Sequence, residues 1–242
     1  MNFTEGEYIY INKPYRMTSF GALAFVRTRV SRKVGVRRVK IGHAGTLDPL
    51  ATGVLILCTG KKTKDIERLQ QDAKEYTATL QLGATTPSYD MEHEVDATYP
   101  TEHITRELID RTLSSFCGEI QQVPPEYSAC KIGGDRAYDL MRKGQEVTLQ
   151  PKTVRIDEIE VDSFDAGKML LSIRVACGKG TYIRSLARDI GRALGSGAYL
   201  TALCRTRVGS VHIGDCITID DFPGWLDRQE IEMPERPRTA EK

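Results

Sequence analysis

Residues 7–12 are rich in Tyr and Ile and alternate apolar with polar character, a period of two that predicts a strand. The period then lengthens. Leu23, Val26 and Val30 recur at helical spacing behind a candidate cap at Ser19, predicting a helix over 19–34. A polar, glycine-punctuated loop over 40–52 leads into a buried strand at 53–59, a helix at 61–73 and an alternating strand at 75–82. Residues 85–100 read as a long acidic loop. Beyond it the pattern predicts a helix at 105–116, strands at 120–123 and 127–131 broken by Pro124-Pro125, and a short helix at 136–143. An antiparallel pair at 154–161 and 169–176, a helix at 181–194 and a strand over 199–211 complete the pattern. The order is mixed and lacks the regular strand-helix-strand cycle of a parallel α/β protein. The expected fold is therefore α+β, a mixed, mostly antiparallel sheet flanked by helices.

The 242 residues suit one compact domain over 1–217, with a short helix or tail over 218–242 whose end is Pro-rich and charged. The longest strongly apolar run, 54–58, is far short of the roughly 20 residues of a membrane span. The first residues show neither a basic start nor an apolar stretch, so no membrane association is expected and the cytoplasm is the expected compartment. Six scattered cysteines without any Cys-x-x-Cys give no zinc signature and read as reduced, mostly buried thiols.

A net charge of +1 conceals a segregation of signs. Ten basic residues and one acid, Asp48, fall within 21–64; eight basic residues and one acid, Asp189, fall within 168–207. Two basic blocks in a neutral chain suit a surface with one face for a polyanion, although two solvated exteriors would look the same in sequence.

Asp48 stands in the run Gly42-His43-Ala44-Gly45-Thr46-Leu47-Asp48-Pro49-Leu50-Ala51-Thr52-Gly53. Glycines permit tight turns and close approach of a ligand, and Pro49 stiffens the chain directly after the carboxylate. A glycoside hydrolase would want two carboxylates facing one bond, and this loop offers one. The run resembles the catalytic loop of the TruB-type tRNA pseudouridine synthases. Further segments resemble the family in the same order: Lys74-Glu75-Tyr76 with Leu82-Gly83; Val123-Pro124-Pro125 with Tyr127-Ser128-Ala129 and Lys131; Gly180 to Leu186; and Leu203 to Gly209.

The resemblance implies the pseudouridine synthase fold and isomerisation of the uridine at position 55 of the tRNA T arm, with no cofactor and no metal. It implies that Asp48 is the nucleophile or base, by covalent attack or by removal of a ribose proton. By the same resemblance Arg184 is the arginine that pairs with it, and Tyr76 the tyrosine stacked on the target base. Tyr182 and Leu203 fall at pocket-wall positions. His43 falls where the family's histidine fills the vacancy left by the flipped base. Lys13, Lys61, Lys64, Lys131 and Arg205 are the further expected RNA contacts, and arginines and lysines over 27–40 read equally as RNA contacts or as a charged helix exterior. The partner is the T-arm stem-loop of tRNA, and the protein is expected to be a monomer. A non-catalytic tRNA-binding or folding chaperone using the same cleft is the alternative. The sequence departs from the family at Arg16, where glycine is common, and after Gly209. The expectation is that no complete C-terminal RNA-binding (PUA) domain is present, so that intact tRNA binds hardly more tightly than its T arm.

Overall fold

The computed structural model describes residues 1–128, 131–132, 135–136 and 149–233. Its strands, in chain order, are β1 (Tyr8–Lys13), β2 (Ile41–His43), β3 (Thr52–Thr59), β4 (Lys74–Leu82), β5 (Ala84–Thr85), β6 (Ala97–Thr98), β7 (Gly118–Gln122), β8 (Lys131–Ile132), β9 (Asp135–Arg136), β10 (Lys152–Asp165), β11 (Leu170–Cys177), β12 (Ala198–Val208), β13 (Val211–His212) and β14 (Ile217–Thr218). The α-helices are α1 (Ser19–Lys33), α2 (Ile66–Leu69), α3 (Arg106–Ser114), α4 (Ile183–Ala193) and α5 (Phe222–Asp227). This is the expected α+β architecture, and it groups into two compact units, one of residues 1–72 with the chain from 206 onward, the other of residues 73–205.

In the first unit β1 runs antiparallel to β3, from Tyr8 opposite Cys58 to Lys13 opposite Gly53. The free edge of β1 takes β14 in parallel, and β2 adds to β3 with His43 opposite Leu57. Seven of the eight β3 residues are buried, which is why its sequence reads as one apolar run. Helix α1 buries Ala22, Leu23, Val26 and Val30 in a cluster with Ile9, Ile11, Leu55 and Leu57. Ile219 and, on α5, Phe222 and Leu226 complete the same cluster, so part of the segment after 217 belongs to the core, and β14 straddles the expected domain boundary.

The second unit contains the sheet order β12-β4-β11-β10-β7. Pairing of β11 with β4 and of β10 with β11 and β7 is antiparallel throughout. Lys74, Tyr76, Ala78, Leu80 and Leu82 are the buried face of β4, the alternation seen in its sequence. Helix α3 turns Ile109 and Leu113 inward, with Thr105 accepting from the Leu108 amide as its cap.

Several expectations are corrected. Ser19 does not cap α1; Thr18 does, its hydroxyl accepting from the Gly21 amide at 2.9 Å. The helix expected over 61–73 is a 3₁₀ turn, Gly60–Asp65, followed by the single turn of α2, because 61–65 has no apolar stripe to bury. The loop over 85–100 carries the β5–β6 pair and buries Thr86, Ser88 and Asp90. Tyr127 and Ser128 lie outside any strand, 129–130 lie outside the described residues, and β8 begins at Lys131. Arg136 ends β9, and the rest of the expected helix over 136–143 lies outside the described residues. Of the cysteines, only Cys58 and Cys177 are buried among those described, while Cys117 is exposed. Burial pushes both buried thiols up to about 11. Among the described residues no helix is long and apolar enough to cross a membrane.

Candidate active site

The Asp48 loop is held from both sides of the carboxylate. On its N-terminal side, Ser19 Oγ donates to the Leu47 carbonyl at 2.9 Å and accepts from the Leu47 amide at 2.8 Å. Here is the true employment of Ser19: its hydroxyl is withdrawn from the helix end and buried against the loop. On the C-terminal side, Lys13 Nζ donates to the Pro49 carbonyl at 3.3 Å and also to Met17 at 2.6 Å and Pro14 at 3.0 Å. Between these two grips the Ala51 amide closes a turn onto the Asp48 carbonyl at 3.1 Å, and Ala44 ties back to Ile56 at 2.9 Å. Asp48 itself is half-buried. A carboxylate whose neighbours are fixed on both sides is pre-positioned, the condition under which a nucleophile or base loses little entropy on reaction.

Lys13, expected among the RNA contacts, lies inside the fold. Its side chain is 0% exposed and its ammonium is turned onto backbone carbonyls, so it braces the loop. Arg205, also expected among them, is at 2% exposure a buried cation. Lys61 and Lys64 are exposed, and Lys61 pairs with Glu5. Lys131 opens β8. His43 lies half-buried in β2, at the start of the loop.

In the second unit the organising residue is Arg184, at the first turn of α4 and 4% exposed. Its guanidinium donates to the Tyr127 carbonyl at 2.9 Å and the Ser88 carbonyl at 3.3 Å, and its Nε lies 3.7 Å from Asp90 Oδ2. Asp90 is 6% exposed; its other oxygen accepts from Ser88 Oγ at 2.6 Å and from the Glu92 amide at 3.0 Å. A buried guanidinium needs such a set, since removing two charges from water is repaid only when the geometry is good and the remaining donors are satisfied. Tyr89, between these two acceptors, has φ of 59°, a left-handed conformation that costs roughly 1–2 kcal/mol for a non-glycine residue. The reversal aims both the Ser88 carbonyl and the Asp90 carboxylate at one guanidinium.

The start of α4 is fixed by a second device. Gln122, buried at the end of β7, accepts from the Tyr182 amide at 2.8 Å and donates to the Tyr182 carbonyl at 3.2 Å. Ser185 and Arg188 both donate to the Val123 carbonyl, at 2.8 and 2.9 Å. Tyr182 is thereby held half-buried at the helix entrance. Tyr76 is buried on β4 opposite Val175, and Leu203 is half-buried on β12. The structure thus gathers Tyr182 and Arg184 on one helix start and places Tyr76 and Leu203 on neighbouring strands of one sheet. Reading the sequence missed Asp90, Ser19 and Gln122. Asp90 looked like one acid among several in a polar loop, and the only signal for it was Ser-x-Asp, a short hydrogen-bonding motif common in turns.

Comparison with known proteins agrees with these features. The N-terminal-domain model of the TruB family pseudouridylate synthases matches residues 32–183, and the C-terminal-domain model of tRNA pseudouridylate synthase B matches residues 184–234. A tRNA pseudouridine synthase B of Phocaeicola vulgatus is 61% identical over 96% of this chain and 98% of that protein. One of Bacteroides fragilis is 60% identical over 96% of this chain and 99% of the relative. Among solved structures, a Cbf5-Nop10-Gar1 complex aligns with a TM-score of 0.67 at 29% identity, covering 93% of this chain. The chain spans about half the length of that solved chain, 55%. The matches run through both units and through the loop of Asp48 and the turn of Arg184 alike: the chain belongs to the TruB family of pseudouridylate synthases.

Proposed function

We propose that the protein isomerises the uridine at position 55 of the tRNA T arm to pseudouridine, with Asp48 as the carboxylate that begins the reaction. The observation that carries this reading is the pair of buried grips on Leu47 and Pro49, which immobilise the one acid of a basic segment. The names of the relatives, tRNA pseudouridine synthase B, supply the substrate class.

In the reaction the bond between uracil N1 and ribose C1′ breaks, the base turns, and C1′ bonds to C5. The C5 proton leaves and N1 gains one, so product and substrate are isomers and no oxidant or activated donor is consumed. Asp48 serves as nucleophile or base toward the nucleotide. Arg184 supplies the countercharge, and Tyr76 stacks on the base, with Tyr182 and Leu203 as apolar walls. His43 occupies the space that the flipped base vacates. Lys61, Lys64 and Lys131 neutralise phosphates of the RNA. The protein acts in the cytoplasm as a monomer.

The test uses a T-arm hairpin carrying tritium at uracil C5. Wild-type protein releases label to water, and Asp48→Asn does not, while its hairpin affinity stays within about tenfold. Turnover by Asp48→Asn would remove Asp48 from the mechanism. Hairpin binding without tritium release by the wild type would point to an RNA-folding protein in place of an enzyme.

A further inference from the structure

The first unit carries a strongly charged concavity outside the Asp48 loop. Residues 19–47 contain seven basic residues and no acid. Helix α1 ends at Lys33, and Gly35, with φ of 68°, reverses the chain. The Val36 amide then donates to the Ser31 carbonyl at 3.1 Å and the Val39 amide to Ser31 Oγ at 2.9 Å, so residues 36–39 are tied back along the helix by a buried serine. Arg37 and Arg38 are thereby brought to Arg27 and Arg32, and the four line an open groove of about 450 Å³ that no carboxylate borders. Among the described residues none of these four arginines makes an ion pair. Phe20, 64% exposed on the same helix, lies 5.7 Å from the Arg27 guanidinium.

Four guanidinium groups around one groove repel one another and do not contribute to the core. A last-turn arginine such as Arg32 complements the helix dipole, but that accounts for one of the four. Their shared property is a fork of donors matched to phosphate oxygens, and an exposed aromatic ring beside them is a stacking platform for an unpaired base. Repeated anions with flat bases between them are the chemistry of a polynucleotide.

We propose that this α1 groove binds the phosphodiester backbone of the substrate RNA away from the nucleotide being modified, as a second anchoring site. The proposal rests on the RNA-modifying function above, and it assigns to Arg27, Arg32, Arg37 and Arg38 an affinity role without a part in the chemistry.

The test compares full-length wild type with the variant carrying Arg27→Gln, Arg32→Gln, Arg37→Gln and Arg38→Gln. Binding of an unmodified, fluorescently labelled tRNA transcript is followed by anisotropy between about 50 and 300 mM KCl. Each lost phosphate contact lowers the slope of log affinity against log salt by about 0.9, so the variant's slope is shallower by about 2 to 4. Its affinity falls tenfold or more at 100 mM salt, while its single-turnover tritium release at saturating RNA stays within about threefold of wild type. An unchanged melting temperature shows that the variant folds; Arg37→Glu with Arg38→Glu gives a smaller set that must lower affinity in the same direction. A slope changed by less than about 0.9, one phosphate contact, with an affinity within about twofold of wild type would overturn the proposal and point to a different anion, such as an acidic protein segment. An equal loss of slope in Arg106→Gln with Arg111→Gln, on α3, would also overturn it, because any surface arginine would then serve. Wild-type protein that binds tRNA but releases no tritium would defeat the enzymatic reading while leaving the salt-slope comparison valid.

Discussion

Around Asp48 the backbone is gripped by side chains that reach carbonyls and an amide, Ser19 on Leu47 and Lys13 on Pro49. Around Arg184 the arrangement is inverted: the side chain of interest is itself gripped, by Asp90 and two carbonyls, next to a left-handed Tyr89. The first region leaves its carboxylate half-buried and spends polar groups on the chain at either side. The second buries a full ion pair and depends on its electrostatic balance. Removing a grip in the first region loosens geometry, whereas removing a partner in the second takes countercharge from a buried cation, and the two losses differ in size.

The largest effect is therefore expected at Asp90. Asp90→Leu takes a buried carboxylate from beside the buried Arg184 guanidinium and lowers unfolding free energy by about 3–5 kcal/mol, read from urea titrations. The double variant with Arg184→Leu should regain part of that stability and none of the tritium release. A double variant no more stable than the single one would show that the pair's electrostatics are not the source. Lys13→Met comes next: three carbonyls lose a donor, at about 2–3 kcal/mol, and kcat falls tenfold or more while KM for RNA moves little. A KM that rises with kcat unchanged would instead place Lys13 in contact with the RNA. Ser19→Ala loses two hydrogen bonds to Leu47, costing about 1–2 kcal/mol, and lowers kcat several-fold at constant KM; an unchanged kcat would break the link between the clamp and Asp48.

The smallest effect concerns the buried thiols, which lie away from this contrast and calibrate it. Cys58 and Cys177 titrate near 11 in the fold and lower when exposed, so the unfolded state loses its thiol protons first. Their contribution to stability is complete below about pH 9 and disappears as pH rises toward 11. Cys177→Ala should show a smaller alkaline decline in urea midpoint than wild type, and at pH 8 a thiol reagent should modify Cys117 while sparing Cys58 and Cys177 until the chain unfolds.

The relation of these features to the sequence differs from one to the next. The strands β1, β4 and β11 and the helices α1 and α3 follow from periodicity, because each repeats burial at a spacing its own residues encode. The glycine and proline pattern around Asp48 announced a special loop. The short pieces, β5, β6, β13 and the 3₁₀ turns, are too brief for any period to register. The burial of Lys13 and Arg205, both expected RNA contacts, was not legible, because a charge in a sequence carries no mark of its burial.

By itself the sequence determined the long elements, the α+β order, the family motifs and the lone acid in a basic segment, all of which are properties of residues near one another in the chain. The tertiary structure alone decided that Ser19 serves Leu47, 28 positions away, and that Ser88 and Arg184, 96 positions apart, share a hydrogen bond. It also decided that Arg27, Arg32, Arg37 and Arg38 surround one groove. Such bonds span long loops whose closure depends on the packing of the whole core, so no local pattern encodes which donor meets which acceptor.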